Sequence, residues 1–162
     1  IGKTKRAEQQ FLETIQFYDA KVNKEKYHPN LQSATINLAY LYFSLRQYDM
    51  AEIYYAKGLE AKKFVYSQKH PDYMAMVNNL GVIYQIEGRV AKADSMHGLL
   101  LNLQKEVFTE NSSEYIKTLY NRALLYKTHG RYIDAEPLFS KIVAYRRINP
   151  GEKSPDYMLA YK

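Results

Sequence analysis

The sequence predicts an all-α protein built from stacked antiparallel helix pairs, and three observations carry that prediction. A single pattern of residues recurs every 42 positions along the 162-residue chain. Within each copy, apolar residues fall three and four apart, the period of a helix with one buried face. Proline then opens a helix in two of the three copies and glycine closes one in two of the three, at matching places. A fixed period of this size marks a stacked-repeat architecture, in which each unit is completed by its neighbours.

The fullest copy opens His70-Pro71-Asp72-Tyr73-Met74, passes Asn79-Leu80-Gly81 and Tyr84, and closes with Gly88-Arg89 and Ala93. One period earlier stand His28-Pro29, Asn37-Leu38-Ala39, Tyr42 and Ala51. One period later stand Ser113-Glu114-Tyr115, Asn121, Ala123, Tyr126, Gly130-Arg131 and Ala135, and a further period brings Pro155-Asp156-Tyr157-Met158.

Taken in order, residues 5–22 read as a lone helix with Ala7, Phe11, Ile15 and Tyr18 on one face. Ala7-Glu8, Phe11 and Ile15 match Ala51-Glu52, Tyr55 and Leu59 at an offset of 44, so this is the second helix of a half repeat, 5–27. The linker near Asn23 to His28 is accordingly two residues longer than the later ones. Full repeats follow at 28–69, 70–111 and 112–153. Their first helices are expected over 30–45, 72–87 and 114–129, and their second helices over 48–66, 90–108 and 132–147. Pro29, Pro71 and Pro155 suit the first helical position, where a missing N–H costs nothing. Ser113 stands in the proline's place in the third repeat, with Ser112 as its N-cap. Gly88 and Gly130 close first helices, whereas Arg46 occupies the equivalent place and predicts a differently shaped turn. Pro137 falls in or just after the first turn of its helix, and Pro150-Gly151 closes the last full repeat. Residues 154–162 begin another first helix and stop, so the whole of 1–162 reads as one fragment of a longer array.

Small residues sit where helices must approach: Ala39, Gly81 and Ala123 in first helices, Ala51, Ala93 and Ala135 in second helices. Large ones flank them, among them Leu38, Leu80, Tyr42, Tyr84, Tyr126, Tyr55, Phe139, Leu59, Leu101 and Val143. That alternation lets helices interlock at about 8–10 Å.

The run Asn-Leu-Gly/Ala-x-x-Tyr, then Gly-Arg, then Ala-Glu-x-x-x-Phe/Tyr resembles the tetratricopeptide repeat over residues 7–162. The 42-residue period and the His-Pro-Asp-Tyr linker are similar to its longer variety, seen in kinesin light chains and many bacterial regulatory proteins. Departures are Arg122, where leucine is usual, and His97 and Met96 in place of the common aromatic and its neighbour, respectively. The resemblance implies a right-handed superhelical solenoid whose first helices line a concave, peptide-binding groove. The implied function is a protein–protein interaction module of a larger regulatory or scaffold protein.

The residues offer one feature of their own toward such a groove. Asn37, Asn79 and Asn121 recur on the same helical face, and an amide presents donors and an acceptor together to an extended backbone. Rungs roughly 10 Å apart match about three residues of extended chain. Tyr40, Val82 and Leu124 share that face, as do Phe43, Gln85 and Lys127, and Ser33, Ala75 and Lys117. The same asparagines could instead bond to the backbone of a neighbouring repeat, and sequence leaves both uses open. Among the positions of a carboxylate clamp only Lys117 is basic, which argues for an internal segment rather than an acidic chain end.

Other functions have less to stand on. There are no cysteines, which removes disulfides and thiol chemistry from this segment and fits a cytoplasmic setting. No stretch of 18 apolar residues is present, and residues 1–6 lack the apolar core of a signal peptide. No phosphate loop, nucleophile motif or metal-ligand spacing occurs, so no cofactor, metal or catalytic residue is expected. His28 and His70 lie at helix entries, and His97 and His129 have no second ligand near them in sequence. Catalysis would belong to another domain, a kinase or protease for which this array is sensor or adaptor. The net charge of +6, the pI near 9.3 and 17 tyrosines make nucleic acid an alternative. Against it, the basic residues are scattered and Tyr42, Tyr84 and Tyr126 recur at packing positions. Uncovered apolar faces at the ends of the array are a route to self-association.

Overall fold

The computed structural model describes residues 2–20, 28–65 and 68–149, with the side chains of 62–65 outside the description. The linker from Asn23, Pro150-Gly151, Pro155 and the rest of the tail also lie outside it. Seven α-helices account for nearly all described residues, which contain no strand. They are α1 Gly2–Asp19, α2 Pro29–Ser44, α3 Tyr48–Val65, α4 Pro71–Ile86, α5 Val90–Val107, α6 Ser113–Thr128 and α7 Tyr132–Ile148. The first helices start one residue earlier than expected, at Pro29, Pro71 and Ser113 themselves.

Those starts follow from capping chemistry. The His28 ring accepts from the Asn30 amide at 3.2 Å, and the His70 Nδ1 accepts from the Asp72 amide at the same distance. The Ser112 hydroxyl accepts from the Tyr115 amide at 3.3 Å. Histidine therefore does the work usually given to serine or asparagine, holding an otherwise unpaired N–H just after the proline.

The helix ends are equally regular and correct one expectation. Arg46 has φ +59°, in the same left-handed region as Gly88 at +70° and Gly130 at +72°. The bonds are also the same: Arg46 N to Phe43 O and Gln47 N to Tyr42 O repeat as Gly88 to Gln85 with Arg89 to Tyr84, and as Gly130 to Lys127 with Arg131 to Tyr126. The turn at Arg46 is thus not differently shaped; its bonds and packing hold an arginine where glycine would rest without strain. Arg46→Gly is expected to raise the unfolding free energy by about 0.5–1 kcal/mol, read from a urea titration. A loss of stability would show that the arginine side chain contributes more than its backbone costs.

Two compact units divide the chain, Ile1–Ile83 and Tyr84–Lys162. In the first, α2 packs against both α1 and α3. Ala39 and Ala51 are completely buried, and so are Leu38 and Tyr55, the latter the largest of the fully buried side chains. Gly58 on α3 marks a close approach, since a Cβ there would stand 2.8 Å from the Met76 Sδ. In the second unit α6 packs against α5 and α7. Leu101, Ile116, Leu119, Ala123, Ile142 and Tyr145 form its core, with Phe139 partly buried against them. The small–large alternation read from sequence is the packing observed in each unit. Pro137 is the sixth residue of α7, just past the first turn, and leaves the carbonyl of exposed Ile133 without its helical donor.

Candidate docking faces

Each first helix buries one side and presents the other. On α2, Leu31, Ala34, Thr35, Leu38, Ala39 and Tyr42 are buried, while Ser33, Asn37 and Tyr40 are exposed at spacings of four and three. On α6, Ile116, Leu119, Ala123 and Tyr126 are buried, Lys117 and Lys127 are exposed, and Asn121 and Leu124 are half-buried. On α4, Ala75, Asn79, Val82 and Gln85 are all half-buried.

The three asparagines stand in different surroundings. Asn37 is exposed and Asn121 half-buried, and neither has a hydrogen-bond partner among the described residues. Asn79 donates through Nδ2 to the Tyr55 hydroxyl at 2.9 Å, and its Oδ1 lies 3.5 Å from the Asn78 amide nitrogen. Its partner is a side chain of the preceding repeat, where bonding to a neighbour's backbone was the expected alternative.

Around it the first unit holds an ordered aromatic group. The Tyr40 ring meets Tyr55 edge-on at 5.5 Å, and Phe43 sits between Tyr55 at 6.5 Å and Tyr48 at 6.0 Å. Burial and then the Asp72 carboxylate push the Tyr40 hydroxyl above its ordinary range, while a bond with Asn79 works the other way. Tyr40 nevertheless remains 40% exposed, three residues along α2 from exposed Asn37. On α6 in the second unit, Lys117 and Lys127 make no ion pair among the described residues.

Sequence reading missed the role of Glu8 and Asp94, the acids that follow Ala7 and Ala93. The Tyr42 hydroxyl donates to Glu8 at 2.8 Å, and the Tyr126 hydroxyl donates to Asp94 at 2.6 Å. The tyrosine closes a bond from the first helix of one repeat to the second helix of the repeat before it. Its signal was present: the separations are 34 and 32 residues, differing by the two extra residues of the first linker. Burial and then the bond to Glu8 push the Tyr42 hydroxyl up to about 12. Arg122, the unusual residue of the third repeat, joins the same arrangement with its Nε 2.6 Å from Asp94. Burial opposes the charged form of Asp94, but the bonds from Arg122 and Tyr126 outweigh it and hold the carboxyl below its usual range. Guanidinium groups then cover the tyrosine faces, Arg89 at 4.4 Å from the Tyr84 ring centre and Arg131 at 4.3 Å from that of Tyr126.

Among the described residues no group of three or more histidines and carboxylates is placed to hold a metal ion. His129 lies exposed at the end of α6 against the Leu125 carbonyl. No described helix is long and apolar enough to cross a membrane.

Two models of the tetratricopeptide repeat match the sequence, one over residues 31–72 and the other over 72–148. The chain belongs to the tetratricopeptide-repeat family. Solved structures of this family share its fold. The structure of BtubC (BKLC) from P. vanneervenii superposes with a TM-score of 0.76 at 22% identity, covering 94% of this chain and 60% of that one. The nearly identical TPR-like repeats assigned to a kinesin light chain of Podosopora anserina give 0.74 at 16% identity, covering 94% of this chain and 71% of that one. The tetratricopeptide-repeat chain therefore spans less than two thirds of the BtubC structure's length. A comparison with curated proteins finds no match.

Proposed function

We propose that this tetratricopeptide-repeat chain is a protein–protein interaction module whose first-helix faces take an extended segment of a partner. The observation that carries this reading is chemical vacancy on an ordered scaffold. Asn37 and Tyr40 in the first unit, and Lys117, Asn121, Leu124 and Lys127 in the second, are at least part-exposed, and the scaffold's other contacts hold the helices that bear them. Asn37 and Asn121 each have an amide with donors and an acceptor uncommitted, which suits an extended backbone whose own N–H and C=O groups lack partners. Tyr40 and Leu124 add apolar area beside those amides, and area of that kind supplies most affinity in such contacts.

Asn79 is not a fair test of this reading, because removing it also releases Tyr55. The variants to compare are Asn37→Ala with Tyr40→Ala, and Asn121→Ala with Leu124→Ala. Each pair is expected to lower binding to an immobilised array of extended peptides at least tenfold while leaving the helical circular dichroism unchanged. Equal binding by wild type and both double variants would refute the assignment of these faces.

A further inference from the structure

We propose that the α5–α6 junction is an acid-sensitive hinge, closed while the His97 ring is neutral and loosened when that ring takes a proton. His97 is completely buried, in a repeat position where the family usually places an aromatic ring. Its Nε2 lies 3.4 Å from the Gln85 Oε1, and its Nδ1 has no hydrogen-bond partner. A neutral ring with its proton on Nε2 satisfies this site with one bare acceptor. An imidazolium must donate from both nitrogens, and a proton on Nδ1 would point at nothing in a place water does not reach.

The charged neighbours make the site less tolerant still. From α6, the Arg122 guanidinium opposes a second cation; from α5, the Asp94 carboxylate favours one. Asp94 is already committed to Arg122 and Tyr126, and Arg131 adds further positive charge beside it. From α4 the uncharged Gln85 faces the ring. The α5 and α6 helices pack together, and the Arg122 guanidinium reaches over Gly98, where a Cβ would meet its nitrogen in ordinary contact at 4.0 Å. Solvating a charged His97 therefore requires α5 and α6 to separate.

Burial, then Arg122, lower the His97 pKa to about 4, with Asp94 pulling the other way. In the unfolded chain the ring takes its proton near the ordinary value of about 6.5. Between those values the unfolded chain binds a proton that the folded, closed form does not, so stability falls as pH drops through that window. Asp94 loses its own contribution at lower pH, below the usual carboxylate value, which keeps the two effects apart.

The test compares thermal unfolding of wild type and His97→Phe at pH 7 and pH 5. Wild type is expected to lose roughly 5 °C more than the variant over that interval. In parallel, the His97 ring proton resonance, assigned by its absence from the variant, is expected to stay at its neutral position down to pH 5. Equal pH dependence of the two proteins would overturn the hinge, and so would a His97 resonance that titrates near 6.5. Should His97→Phe fail to fold, His97→Gln, which cannot take the proton, serves as the comparison. The wild-type titration stands without either variant.

Discussion

Tyr55→Ala is expected to lower the unfolding free energy by about 3–5 kcal/mol, the range for truncating a fully buried aromatic. Tyr55 has no exposed surface, and the rings of Tyr40 and Phe43 rest edge-on against it. Removing it leaves a cavity between α2 and α3 that neither helix can fill, because Ala39 and Ala51 already hold them at close range. The polar part of the loss is separable. Tyr55→Phe keeps the ring but strands the half-buried Asn79 amide, at about 1 kcal/mol. A urea titration of both variants makes the comparison. If Tyr55→Phe costs as much as Tyr55→Ala, the hydroxyl bond and not the ring organises this unit.

Asp94→Ala is expected to cost about 2–3 kcal/mol. It removes the acceptor of both Arg122 and Tyr126 and leaves a guanidinium only 29% exposed without its carboxylate. Breaking a fully buried pair costs more, about 3–5 kcal/mol, and the residual exposure here discounts it. Restoring the family's usual residue should recover most of the loss, so Asp94→Ala combined with Arg122→Leu is expected to be within about 1 kcal/mol of wild type. The sign with pH follows from the depressed carboxyl of Asp94. Its contribution is present above the unfolded carboxylate value and is lost as pH falls through the lower, folded one. Additive single losses in the double-mutant cycle would mean that Arg122 and Asp94 do not depend on each other.

Local chemistry made most of the fold readable from residues alone. Proline at Pro29 and Pro71, serine at Ser112 and glycine at Gly88 and Gly130 each act on the backbone within a few residues, so their effects need no tertiary information. The fully buried Ala39, Ala51, Ala93 and Ala123 were legible for a different reason: a repeating pattern shows which small residue recurs at each helix contact. Arg46 was misread because its positive φ is enforced by the bonds of the turn, Gln47 N to Tyr42 O above all, rather than by its own preference.

The candidate faces were legible as positions but not as environments. The 42-residue period places Asn37, Asn79 and Asn121 alike, yet only Asn79 has a tyrosine hydroxyl within reach. That difference depends on Tyr55 from another helix, whose equivalents Phe11 and His97 carry no hydroxyl, and it means something only once the helices are seen to meet there. Glu8 and Asp94 passed unread because a lone acid after an alanine looks like part of a solvated face. Its meaning emerges only once a tyrosine 32 or 34 residues away is seen to donate to it. His97 and Arg122 looked like separate departures from a family pattern; in the folded chain the charges of Arg122 and Asp94, themselves bonded, both act on the His97 ring.

The docking role of the first helices is tested most directly by following the chain's amide resonances while a peptide selected from the array is added. Shifts are expected on α2 around Asn37 and Tyr40, or on α6 around Lys117, Asn121 and Lys127. Shifts confined to the outward faces of α3, α5 and α7 would contradict the account.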